Sequence, residues 1–330
     1  MKKSRHALAL FSGGLDSMLA IKLMRMQKIK VTAIHMNIGF GSKMDVSETI
    51  KRRALLAGAE FKILDVREDY IKKVLFNPKY GYGKHFNPCI DCHGFMLRVA
   101  KEYIEELDAD FIVTGEVLGQ RPMSQREDAM RLVKKLSLDE DDLILRPLSA
   151  KNMEITKPEL KGWVDREKLL NISGRSRDIQ LKMVKEFGWE DFQSPGGGCL
   201  LTDEKFTKKI REFLEFENLH VKDIDILKNG RHLRLPDGAK LIIGRDKKEN
   251  EFLEKSINDK YFKVEAKSIV GPYSLLSCGA SDEDKKLSAR IILTFTKAVC
   301  EKKYDVHVDG ETVEAFPLKR REDAHKYFVI

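Results

Sequence analysis

The chain is predicted to be an α/β protein, with an N-terminal doubly wound parallel sheet followed by a smaller α+β C-terminal domain. Three observations carry this expectation. Apolar strand-like runs alternate with helical stretches from residue 1 to about 150. A Ser-Gly-Gly turn follows directly behind the first apolar run, Ala7, Leu8, Ala9 and Leu10. Beyond about residue 220 the pattern changes to short strands separated by turn residues. Strands separated by helices must pair in parallel through right-handed crossovers, because a two-residue hairpin cannot join parallel neighbours.

In the first region the strands are expected at 6–11, 30–36, 61–66, 110–114 and 142–146, with helices at 15–27, 44–58, 68–75 and 90–107. Residues 150–215 read as mostly helical and irregular. Thr156 and Pro158 open a short helix over 157–164, with Thr156 as N-cap. A second helix runs to about 187, and an amphipathic one from Asp203 to about Phe216. Between these, Gln193-Ser194-Pro195-Gly196-Gly197-Gly198-Cys199-Leu200 reads as a rigid turn. Farther on, strands are expected at 231–235, 239–243, 262–264, 290–296 and 304–308, with turns at Pro236-Asp237-Gly238 and Val308-Asp309-Gly310. The implied domains are 1–150, 151–218 (carrying Cys199) and 219–330.

The bulk properties exclude several classes. A length of 330 residues with 42% hydrophobic composition supports a sizeable core. No apolar run reaches the roughly 18 residues of a membrane span. The basic start, Met1-Lys2-Lys3-Ser4-Arg5-His6, leads into an apolar run that stops at Phe11, too short for a secretion signal. Five cysteines in so long a chain suit a reduced cytoplasmic protein and not a disulfide scaffold. The net charge of +8 is compatible with a polyanionic partner.

Two motifs carry chemistry. The first is Ser12-Gly13-Gly14-Leu15-Asp16-Ser17, which ends a strand and opens a helix. Glycines let backbone N–H groups approach phosphate oxygens, and a helix N-terminus adds free donors and a positive dipole end. Asp16 among phosphates makes sense only with Mg²⁺ between them. The Walker pattern is absent. In open parallel sheets ligands sit beyond the carboxyl ends of the strands. There His35, Met36, Asn37 and the string Thr114-Gly115-Glu116 are expected to share the pocket with the loop. The second motif is Asn87-Pro88-Cys89-Ile90-Asp91-Cys92-His93, a C-x-x-C opening a helix, where a thiol pKa is expected to fall. Cys199 is a third candidate sulfur. The set could hold a [4Fe-4S] cluster with one iron open, perform redox or persulfide chemistry without metal, or bind zinc with His85 or His93 as a further ligand. Cys278 and Cys300 are read as core thiols.

Ser12-Gly13-Gly14-Leu15-Asp16-Ser17 resembles the PP-loop of ATP pyrophosphatases. Together with Asn87-Pro88-Cys89-Ile90-Asp91-Cys92 and Thr114-Gly115-Glu116-Val117-Leu118-Gly119-Gln120, it resembles the tRNA-thiolating branch of that superfamily, over roughly residues 5–215. The stretch Thr114–Gln125 is similar to the 4-thiouridine synthetase catalytic domain, and the Asn-Pro-Cys to that of tRNA 2-thiouridylases. The resemblance implies ATP-dependent tRNA uridine thiolation. Ser12, Gly13, Gly14, Asp16, Ser17, His35, Met36, Gly115 and Gln120 would bind ATP and Mg²⁺. Asp16, Cys89, Cys92 and Cys199 would be catalytic, the three cysteines also being the metal ligands. A cysteine desulfurase or inorganic sulfide would donate the sulfur, and a homodimer is compatible with the sequence.

The loop begins at residue 12, so the THUMP region that precedes it in 4-thiouridine synthetases is expected to be absent, and RNA must be gripped elsewhere. Arg175 and Arg177 are candidate RNA or phosphate contacts. Gly238–Asn250 is similar to a signature of the RNA-binding domain of NFACT proteins, in which Arg245, Lys247 and Lys248 would meet phosphates. Two alternatives remain open from sequence: a PP-loop ligase or amidotransferase acting on a small molecule, and a non-catalytic RNA-binding factor that uses ATP as a switch.

Overall fold

A computed structural model describes residues 4–42, 46–192 and 198–330. The chain divides into two compact units, Met1–Thr202 and Asp203–Ile330.

The first unit alternates β1 (His6–Leu10), α1 (Leu15–Met26), β2 (Lys30–Asn37), α2 (Ser47–Ala57), β3 (Glu60–Asp65) and α3 (Arg67–Tyr70). The last continues into a π-helical turn, Ile71–Leu75. Then follow α4 (Cys89–Glu106), β4 (Phe111–Thr114), α5 (Glu127–Leu136), β5 (Ile144–Leu145), α6 (Lys157–Leu160) and α7 (Asp178–Phe187). The five strands pair only in parallel, in the order β3-β2-β1-β4-β5. This is the expected doubly wound sheet. The chain runs from β1 outward to β3, then returns to the other side of β1 as β4. The order therefore reverses between β1 and β4, where such sheets open a ligand crevice at their carboxyl ends.

The strands are apolar on both faces because helices cover both: Ala7, Leu8, Val31, Ala33, Phe111, Ile112 and Val113 are all buried. Residues after 150 join the same core, with Val164, Leu169, Ile172, Val184 and Trp189 packed into it. Thr156 caps α6 as expected, in a capping box with Glu159. One helix, α5, was not foreseen. Its opening acidic pair Glu127-Asp128 and closing Lys134-Lys135 are the charge signature that could have found it.

The second unit holds α8 (Glu204–Phe216), α9 (Val221–Lys228), β6 (Arg231–Arg234), β7 (Lys240–Ile243), α10 (Lys247–Lys255), β8 (Tyr261–Ala266), β9 (Ser274–Ser277), α11 (Asp282–Thr294), β10 (Tyr304–Val308) and β11 (Glu311–Ala315). Its sheet is antiparallel throughout, in the order β11-β10-β8-β9-β7-β6. The expected strand at 290–296 is instead the end of α11. The apolar run Ile291-Ile292-Leu293 is buried on all sides, so it has neither helical nor strand periodicity. The cap decides the matter: Ser281 Oγ accepts the Asp284 amide at 3.1 Å and starts the helix ten residues upstream of that run. Strands β9 and β11 and helices α9 and α10 were also missed.

Candidate active site

The phosphate loop leaves β1 at Phe11 and enters α1 at Leu15. Gly13 has φ +78°, a left-handed conformation that glycine adopts without strain. Gly14 is the N-cap of α1 and offers no side chain to cap the helix. The first-turn amides are thus left for an external acceptor, the arrangement an anion needs. Ser17 Oγ donates to the Gly14 carbonyl at 2.8 Å and lies 3.5 Å from Ser12 Oγ. Arg53 of α2 donates to the Gly13 carbonyl at 3.2 Å and steadies the loop from the other side.

Gly115, after β4, closes against this loop. A Cβ there would fall 2.4 Å from the Ser17 amide nitrogen, so only glycine permits the approach. The loop and the Thr114-Gly115-Glu116 string therefore meet at the switch point.

Asp16 is the hub of a polar cluster. Its Oδ2 accepts from Gln120 Nε2 at 2.7 Å and from Arg177 Nη2 at 3.1 Å. Among the described residues its Oδ1 receives only Gln180 Nε2, at 3.5 Å. Gln180 is fully buried, also donates to Gln120 Oε1 at 3.2 Å, and has an amide oxygen without a partner. Arg177 is thus directed into the loop. Gln180 and Arg53 had no sequence signal, since they come from distant helices.

His35 lies at the end of β2, with Nδ1 3.0 Å from the Phe11 carbonyl oxygen. Burial lowers its pKa, although the bond to Phe11 opposes this, so the ring is neutral near pH 7. Met36 is buried.

The cysteines form the second half of the site. Asn87 Nδ2 donates to Cys89 Sγ at 3.1 Å, while its Oδ1 takes the His85 amide at 3.1 Å. The asparagine of Asn-Pro-Cys is therefore a sulfur-orienting residue. Cys92, one turn into α4, hydrogen-bonds the phenol of Tyr70, which is fully buried. Cys199 arrives from the far end of the unit. Its segment is held by Leu200 N donating to the Phe40 carbonyl at 2.8 Å and by Phe86 N donating to the Leu201 carbonyl at 3.2 Å. Cys89 and Cys199 each act electrostatically on Cys92, and Cys89 on Cys199, so the two segments approach one another. Gly196 and Gly197 of the preceding glycine run lie outside the described residues, and so do Lys43, Met44 and Asp45 of the helix expected at 44–58.

Burial pushes the Cys92 thiol up, reinforced by the Cys199 charge, and pushes Cys199 up to about 11. This corrects the expectation of a lowered pKa at the start of α4. Desolvation of a small buried anion outweighs the helix end. Among the described residues no three His, Cys, Asp or Glu side chains are gathered as around a metal ion. His93 is engaged elsewhere: its Nδ1 lies 2.8 Å from Glu116 Oε1 and its Nε2 3.4 Å from Ser124 Oγ. Glu116 also accepts from Arg146 Nε at 2.9 Å. Burial alone would raise the Glu116 pKa, but Arg146 and His93 overcome it and hold the carboxyl at about 2. A continuous chain of contacts thus runs from Ser17 through Gly115 and Glu116 to His93, next to Cys92.

Cys278 and Cys300 are exposed, not core; Cys300 Sγ lies 3.5 Å from the Leu318 carbonyl oxygen. Arg175 lies in the loop before α7. Arg245 is paired with Glu249 through Nε at 2.8 Å, and Lys247 and Lys248 are exposed on the first turn of α10.

Comparison with known families matches residues 3–157 to "Thiamine biosynthesis protein (ThiI)" and residues 230–327 to "NFACT protein RNA binding domain". A "tRNA-specific 2-thiouridylase MnmA" of Syntrophotalea carbinolica is 28% identical over 124 residues, covering 34% of this chain and 35% of that protein. A "Probable tRNA sulfurtransferase" of Methanocaldococcus jannaschii is 29% identical over 171 residues, covering 47% and 43%. The chain thus spans less than half the length of these two relatives. Among solved structures, a 4-thiouridine synthetase–RNA complex with bound ATP aligns with TM-score 0.40 and 18% identity, over 68% of this chain and 52% of that one. The N-terminal unit accordingly carries a ThiI-type domain, and the C-terminal unit an RNA-binding domain of the NFACT type.

Proposed function

We propose that this chain thiolates a uridine of tRNA, using ATP to activate the base. The observation that carries the reading is the contact chain from the phosphate loop through Gly115, Glu116 and His93 to the cysteines. A nucleotide-activating site and a three-sulfur site within one compact unit are what base thiolation requires. The thiolating relatives support the same reading.

The amides at the start of α1, with Ser12 and Ser17, would bind the triphosphate, the Gly14 amide turning from Ser12 Oγ, 3.3 Å away, to a phosphate oxygen. Asp16 would hold Mg²⁺ through Oδ1, its less engaged oxygen, while Arg177 adds positive charge beside the phosphates. Adenine would lie near the neutral His35 ring at the end of β2. The uridine carbonyl oxygen attacks the α-phosphorus, pyrophosphate leaves, and the base becomes an electrophile bearing AMP. Sulfur delivered from the cysteine site then displaces AMP. The base must leave its stack to reach both sites.

The donor set of the sulfur site fits a [4Fe-4S] cluster in kind. It offers three thiols on two segments, and their burial makes uncompensated thiolates unfavourable. Cys89, Cys92 and Cys199 would hold it, and it would supply an iron that binds sulfide. Zinc is the second metal these thiols suit. We further assign residues 1–150 to ATP binding, 151–218 to carrying Cys199 and Gln180, and 219–330 to RNA binding.

The test is nucleoside mass spectrometry of tRNA incubated with the anaerobically purified protein, ATP and sulfide. Cys89→Ala, Cys92→Ala and Cys199→Ala should each reduce thiolation by at least about 100-fold while ATP still binds. Full activity in all three variants would remove the cysteine assignment. Pyrophosphate release driven by a small carboxylate and indifferent to tRNA would favour a ligase.

A further inference from the structure

The second unit contains an arginine–phenylalanine cluster that the motifs above do not include. Arg231 begins β6, the edge strand of the sheet. Its guanidinium lies 5.2 Å from the centre of the Phe295 ring. Arg321, at the start of the 3₁₀ turn Arg321–Tyr327, lies 4.6 Å from the same ring. Phe328 stacks beside Phe295 at 6.3 Å with an interplanar angle of 19°. Phe328 is fixed by a bridge to Leu233 on β6. Strand edge, helix end and chain terminus thus converge on one spot.

The charge there is only partly compensated, by Glu249 acting on Arg231 from beyond ion-pair distance. Arg245 is close enough to repel Arg231 but is itself paired with Glu249. Among the described residues neither Arg231 nor Arg321 has a carboxylate within ion-pair distance; Arg231 reaches only the Gly244 carbonyl, at 3.4 Å. Burial, then Arg321, then Arg245 lower the Arg231 pKa, and Glu249 opposes them without overcoming them. Two like charges held over one ring, neither in an ion pair among the described residues, are arranged to meet an anion. Two half-buried aromatic rings beside that charge are a surface on which a base can stack.

We propose that Arg231, Arg321, Phe295 and Phe328 form the contact surface of the C-terminal unit for an unpaired RNA segment, the arginines taking phosphodiester oxygens and the phenylalanines a base. This rests on the RNA-binding reading of that unit and assigns its residues. It moves the centre of the interface from Lys247 and Lys248 to the β6 edge. Fully exposed lysines supply charge alone, whereas this cluster supplies charge and stacking together.

The experiment measures binding of the full chain to a tRNA transcript and to an unpaired oligouridylate at several salt concentrations. Poly-glutamate serves as the competing polyanion. Arg321 is exposed, so Arg321→Ala should fold; it should weaken both RNAs about five-fold or more and reduce the log–log salt slope by about 0.9. Arg321→Lys should restore the slope. Phe295→Leu should weaken binding about five-fold or more and leave the slope unchanged, because stacking releases no counter-ions. Unaltered affinity and slope in Arg321→Ala would overturn the proposal, as would poly-glutamate competing as well as RNA does. Thiolation with unchanged KM for tRNA in both variants would remove this interface and leave the enzymatic reading intact. RNA binding lost in the variants of a chain that does not thiolate would do the reverse.

Discussion

Glu116 is a buried carboxylate whose charge is held by a guanidinium and an imidazole, and it ties the cysteine helix to the strand end that backs the phosphate loop. Its folded pKa of about 2 lies below the ordinary value of 4.5. A depressed carboxylate stabilises the fold at pH above its unfolded value, and that contribution is lost as pH falls through the interval down to the folded value. The first unit should therefore lose stability between about pH 4.5 and 2. Glu116→Gln should remove that portion of the pH dependence and also lower stability at pH 7, because Arg146 is left buried without its carboxylate. Thermal unfolding followed by circular dichroism across pH checks this; an unchanged profile in the variant would show that Glu116 is not the titrating group. The cysteines show the opposite balance. Among the described residues no cation is a cause acting on Cys92 or Cys199, so burial prevails and both thiols are protonated at neutral pH. Asn87 orients the Cys89 sulfur, and the Tyr70 hydrogen bond favours the Cys92 thiolate but is outweighed by burial.

The decisive junction between elements is where the turn after β4 meets the start of α1. Its geometry predicts that Gly115→Ala forces the two apart, since backbone atoms of Asp16 and Ser17 occupy the space a methyl needs. The expected loss is about 1–3 kcal/mol of stability, together with a large drop in ATP affinity because the phosphate loop shifts. Calorimetry with labelled or fluorescent nucleotide measures both, and wild-type ATP affinity would contradict the junction's role. The phosphate loop itself was legible from six residues, because its requirements are local: a strand end, two glycines and a helix start. The strands of the first unit were likewise legible, since burial on both faces demands continuous apolar runs. Helix α11 was misread because an apolar run buried on every side has no period, and only its distant serine cap discloses the helix.

Across the whole molecule, 60 basic residues stand against 52 acidic ones. Many of them are paired with one another, as in Lys73 with Asp69, Lys208 with Glu204 and Arg245 with Glu249. RNA affinity should therefore depend on the cations that carboxylates do not already pair. Two or more phosphate contacts predict about a ten-fold or greater loss of tRNA affinity between 50 and 200 mM salt. A salt-independent affinity would exclude phosphodiester recognition. No helix among the described residues is long and apolar enough to cross a membrane.

By itself the sequence determined the parallel α/β architecture, the phosphate loop and the residue types of the sulfur site, because each is set by period, glycine conformation or close spacing along the chain. Only the tertiary structure decided that Arg177, Gln120 and Gln180 converge on Asp16 and that two arginines share the Phe295 ring. Those residues lie tens to well over a hundred positions apart. Their proximity follows from sheet order and helix packing, which no local pattern encodes.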